Sequence, residues 1–109
     1  MFVPRIAHAV VGVAALAASV VLLGPIAFAL WLLPDLTLLG GMKDGRLNPR
    51  AVPAYNAMHS LRGPFALAAA GAVVASPVIL GLALLWLSHI TIDRSLGFGP
   101  RTADGWQRA

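Results

Sequence analysis

Six polar residues in a largely apolar chain combine types and spacings that can do chemistry: Asp35, Asn56, His59, His89, Asp93 and Arg94. His89 and Asp93 are four residues apart and Asn56 and His59 three apart, so each pair shares one helix face. Asp35, His59, His89 and Asp93 offer two imidazoles and two carboxylates, a ligand set suited to zinc, iron or manganese, and an open position on such a metal would activate water. The same residues also admit a structural reading. Asp93 beside Arg94, with His59 or His89 bonded to Asn56 or to backbone freed by Pro34, would satisfy buried polar groups and lock helices together. A proton or substrate path is a third use. Arg62, two residues before Pro64, is expected to snorkel to lipid headgroups, and His8 to sit at the interface.

The elements that must position these residues are set by charge. No Asp, Glu, Lys or Arg occurs in the 29 residues between Arg5 and Asp35, nor in the 30 between Arg62 and Asp93. Each run can cross a bilayer once with residues to spare, or twice as a tight hairpin. Single crossings would put Arg5 and the basic loop Lys43, Arg46 and Arg50 on opposite faces, against the tendency of short basic segments to stay cytoplasmic. Hairpins put all eight Lys and Arg residues on one face. The expected fold is therefore all-α: an integral membrane four-helix bundle made of two helical hairpins, with both termini cytoplasmic.

The expected helices cover about 6–23, 26–39, 52–74 and 78–92. Gly24-Pro25 and Ala75-Ser76-Pro77 supply the turns, since proline lacks an amide donor and restricts the residue before it. Pro34 should kink the second helix and free carbonyl groups one turn earlier. Residues 42–50 read as a polar cytoplasmic loop and 100–109 as a short, loosely ordered polar tail, with Trp106 at the lipid interface. Small-residue pairs, Ala14/Ala18, Ala15/Ser19, Ala66/Ala70 and Ala68/Ala72, suggest close helix approach, with leucines, Trp31 and Trp86 outside.

With 59% apolar residues, 11% charged ones and a mean hydropathy of +0.82, residues 1–109 read as a single transmembrane domain. The absence of cysteine excludes disulfides, thiol nucleophiles and thiolate metal sites. A net charge of +4 suits an anionic inner leaflet, whereas the scattered basic residues form no nucleic-acid stripe. Arg5, the apolar run that follows and Ala27-Phe28-Ala29 imitate a cleavable signal peptide. Cleavage would leave Leu30-Trp31-Leu32-Leu33 leading the mature chain, so an uncleaved hairpin is the better reading.

Three blocks carry a family resemblance: Leu33-Pro34-Asp35-Leu36-Thr37-Leu38-Leu39-Gly40, Tyr55-Asn56-Ala57-Met58-His59, and His89-Ile90-Thr91-Ile92-Asp93-Arg94-Ser95-Leu96-Gly97-Phe98-Gly99. They closely resemble the small bacterial membrane proteins of domain-of-unknown-function family 4260. The resemblance extends from the first helix to Arg101 and implies an integral membrane protein of about this length, without implying an activity. Pro100-Arg101 departs from the Leu-Lys of the pattern, and the tail lacks its Thr-His ending, so no tail histidine is available to a site here.

The function expected from these residues is non-enzymatic: a multi-pass protein of the bacterial inner membrane whose polar layer serves packing or binds a partner or lipid headgroup. One alternative is a membrane-embedded metal-dependent hydrolase acting on a lipid-like substrate; another is a small proton-coupled transporter subunit. No cofactor is expected under the first reading, and a divalent metal at Asp35, His59, His89 and Asp93 under the second. The lipid bilayer, with its anionic headgroups, is the expected partner, a homo-oligomer is allowed, and nucleic acid is not expected.

Overall fold

The computed structural model describes residues 4–107, and they are mostly helical. Helix α1 spans Arg5–Leu23, α2 Ala27–Leu30, α3 Val52–Met58, α4 Arg62–Val73 and α5 Pro77–Ser95. A 3-10 segment occupies Leu33–Gly40, and strands β1 (Met42–Lys43) and β2 (Arg46–Leu47) form an antiparallel hairpin. Helix α5 is the hub, packed on one side by α1 and on another by α4.

Small residues let α1 and α5 approach closely. Gly12, Ala15 and Ser19 form the buried stripe of α1. Gly12 lies against Thr91 and Ile92, and Gly81 lies against Leu22 and Leu23, so the two helices run antiparallel. A Cβ placed on Gly12 would lie 3.1 Å from the Ile92 amide nitrogen, a contact that no rotamer change relieves. Of the small-residue pairs the sequence suggests, Ala15/Ser19 is buried, whereas Ala14, Ala66, Ala70 and Ala72 are exposed. Helix α4 returns to α5 through a turn in which Ala75 adopts φ +52°. The Ser76 hydroxyl accepts a hydrogen bond from the Ile79 amide and caps α5.

Two expected helices are interrupted, each at a place proline explains. The helix expected over 26–39 is a single α turn followed by the 3-10 segment, because Pro34 lacks a donor and its ring crowds the preceding turn. The helix expected over 52–74 breaks at His59–Leu61 and restarts as α4, with Pro64 in the first turn, where a missing N–H costs nothing. The interruption places His59, at φ −110° and ψ 14°, at the end of α3.

The loop expected over 42–50 contains the β-hairpin, turned by Asp44 and Gly45 at φ +53° and +80°, the pairing a type I′ turn requires. The segment expected as a loose tail is docked as far as it is described. Arg101 bridges to Gln107, and its guanidinium donates to the carbonyls of Gly45 and Gly105. The tryptophans expected outside are half-buried and hydrogen-bonded: Trp31 Nε1 donates to Ser88 Oγ, and Trp86 Nε1 donates to the Met58 carbonyl. An indole N–H needs a partner when it leaves water, which draws both rings inward.

Helices α1 and α5, 19 residues each, are long and apolar enough to cross a membrane. Much of the outer surface is apolar, including Val21 at 84% exposure and Val73 at 86%.

Candidate metal centre

Three elements deliver four candidate ligands to one point. The 3-10 segment carries Asp35, the end of α3 carries His59, and one face of α5 carries His89 and Asp93. The imidazoles are buried, while the Asp93 and Asp35 side chains are 15% and 33% exposed, so the cluster opens on the Asp35 side.

Each imidazole is fixed through its far nitrogen. His59 Nδ1 lies 2.8 Å from the Tyr55 carbonyl, and His89 Nδ1 lies 2.7 Å from the Trp31 carbonyl. A carbonyl only accepts, so both Nδ1 atoms carry hydrogen, and each ring in its neutral form presents an Nε2 lone pair inward. The Trp31 carbonyl is available because Pro34 has no N–H and the Asp35 amide bonds to Leu32 instead. Tyr55 stacks on His59 with ring centroids 4.0 Å apart, and Trp31 lies tilted against His89 at 4.4 Å.

Five of the six pairs of inward atoms are in close contact. His59 Nε2 to His89 Nε2 is 3.2 Å, His59 Nε2 to Asp35 Oδ1 is 3.2 Å, and His89 Nε2 to Asp35 Oδ1 is 3.2 Å. Asp93 Oδ2 is 3.4 Å from His59 Nε2 and 3.2 Å from His89 Nε2. All four ligand atoms lie within 4.8 Å of one another. Zinc bonds nitrogen and oxygen at about 2.0–2.2 Å, so the edges of its tetrahedron measure about 3.3–3.6 Å. Five of the six separations are close to such an edge. Two Nε2 atoms and two carboxylates facing one another can hold a metal ion or share a proton among them, whereas protonating both rings would bring two N–H groups head to head at 3.2 Å. Each ligating histidine donating its other N–H to a carbonyl is the arrangement that orients imidazole on a metal.

The other residues marked in the sequence lie elsewhere. Asn56 faces the tail, where Oδ1 accepts from the Arg101 amide at 2.7 Å and Nδ2 donates to the Arg101 carbonyl at 2.9 Å. Arg94 is half-buried and makes no ion pair with Asp93 among the described residues. Arg62 is exposed at the start of α4 and pairs with neither Asp35 nor Asp93 there. Tyr55 and Trp31 support the centre without having been singled out for that role. Tyr55 precedes His59 by four residues, which is the signal that pairs them.

The model of one protein family, described as Domain of unknown function (DUF4260), matches residues 3–109. The chain belongs to that family. Neither a curated protein nor a solved structure matches it.

Proposed function

We propose that this protein is a non-enzymatic integral membrane protein of the bacterial inner membrane, built around a four-ligand divalent metal centre that ties its helices together. The observation that carries this reading is the set of five ligand separations of 3.2–3.4 Å among Asp35, His59, His89 and Asp93. Zinc suits a tetrahedral nitrogen and oxygen set, and four protein ligands close its coordination as structural sites do. The ligands come from elements far apart in sequence, so metal binding is also folding energy.

Membrane insertion is supported by the exposed apolar surface and by the length of α1, 19 residues or about 28 Å, against a hydrocarbon core of about 30 Å. In this reading both termini face the cytoplasm, where the basic residues meet anionic headgroups.

A second reading is favoured by the exposure of Asp35, the most accessible of the four ligands. If Asp35 yields its place to water, His59, His89 and Asp93 remain as the three-ligand set of a hydrolytic zinc, with a lipid-like substrate.

Elemental analysis of the detergent-purified protein tests both readings. About one zinc per chain is expected, lost in His89→Ala and greatly reduced in Asp35→Ala. No stoichiometric metal, as purified or after zinc addition, would overturn the metal centre. Lipid-ester hydrolysis that persists in Asp35→Ala with zinc supplied and vanishes in His89→Ala would favour the enzyme.

A further inference from the structure

A cavity of about 170 Å³ lies beside the ligand cluster, lined by Trp31, Pro34, Met58, Leu67, Leu82 and Trp86 among others. Every lining side chain is apolar or an indole, and both indole N–H groups are already hydrogen-bonded, so no polar ligand group finds a partner within it. The volume is close to that of the dry, apolar cavity of about 150 Å³ that accepts benzene. Leu33, which also lines it, is 46% exposed, so the cavity reaches the outer surface of the protein.

Its position relates it to the ligands. Pro34 adjoins Asp35, Met58 adjoins His59, and the Trp31 carbonyl holds His89. Along α5, Trp86 and Leu82 precede His89 by three and seven residues, or about 4.5 and 10 Å of helix axis. The cavity thus starts about one turn from the ligand layer and runs toward the Gly24 and Ser76 corners, along helices whose outer faces are apolar. In a bilayer, the phase at its mouth is hydrocarbon.

We propose that this cavity holds a segment of one acyl chain from a membrane phospholipid, with the lipid's polar end toward the Asp35 opening. The site rests on the membrane reading above but not on the metal. A chain segment entering it gains dispersion contacts with walls that otherwise face a void, while the surrounding lipid supplies the chain without an aqueous transfer step.

Trp31 and Trp86 line the cavity and report on it directly. The full-length protein carrying Trp106→Phe, which leaves these two tryptophans, is reconstituted into nanodiscs of phosphatidylcholine brominated at mid-chain and into unbrominated discs. Bromine is expected to remove at least half of the tryptophan emission. Leu82→Phe, which fills the cavity, is expected to restore at least half of what is lost. Leu67→Phe, which fills it from α4, serves if the first variant does not fold. Equal quenching with the cavity open and filled would overturn the site, as would quenching by free brominated fatty acid but not by the phospholipid. Protein that fails to float with the discs would defeat the membrane reading and this site together. Protein that floats but is equally quenched defeats the site alone. Zinc content measured on the same samples reports on the metal centre separately.

Discussion

Asp93→Asn changes one candidate ligand's charge with almost no change of shape, and its effect should be felt chiefly when metal is bound. Asp93 Oδ2 faces His59 Nε2 at 3.4 Å and His89 Nε2 at 3.2 Å. Without metal, the Asp93 carboxylate and the asparagine amide are each within hydrogen-bond reach of the two rings, so each chelated protein serves as its own baseline. A change of 1 kcal/mol moves the Tm of a domain of 60–100 residues by about 4–8 °C. With free zinc at 100 times Kd, binding stabilises the wild type by about 2.7 kcal/mol, so chelation should lower its Tm by about 11–22 °C. Losing groups that only orient metal ligands costs about 10–100-fold in affinity, and losing a ligand should cost at least the upper figure. At that affinity, zinc stabilises the variant by about 0.4 kcal/mol, a shift of about 2–3 °C. Thermal unfolding in detergent, with zinc and with chelator, measures all four states. A chelator-induced drop of equal size in both proteins would refute the assignment of Asp93 as a ligand.

Gly12→Ala should cost about 1–3 kcal/mol, because its methyl group meets Ile92 Cγ1 at 2.5 Å and the Ile92 amide at 3.1 Å and forces α1 away from α5; an unchanged Tm would contradict the close approach. Asn56→Ala removes both hydrogen bonds to the Arg101 backbone, about 1–3 kcal/mol together, and should speed proteolysis between 101 and 107 while leaving zinc content unchanged. Limited proteolysis with elemental analysis checks both halves of that expectation.

The clustering of Asp35, His59, His89 and Asp93 is legible in the sequence because ionisable residues are few in so apolar a chain and these four are among the six polar residues with chemically useful types and spacing. Pro34 also announced its effect, and the carbonyl left free at Trp31 is the one that orients His89. Three features were hidden, for separate physical reasons. The break after α3 follows from Pro64 lying five residues beyond His59, but a proline's position alone gives no sign of whether it kinks a helix or starts a new one. The docking of the tail depends on Asn56 pairing with the Arg101 backbone across 45 residues, a contact with no local period. The inward turn of Trp31 and Trp86 is decided by partners at Ser88 and Met58, which hydropathy alone does not register.

X-ray absorption at the zinc edge of the reconstituted protein tests the metal centre most directly. The expected spectrum shows four nitrogen or oxygen neighbours at about 2.0–2.1 Å with the outer-shell scattering of two imidazoles, and the imidazole signal falls by half in His59→Gln. Six oxygen neighbours at longer distance without imidazole scattering, or a spectrum unchanged in that variant, would contradict a centre made by Asp35, His59, His89 and Asp93.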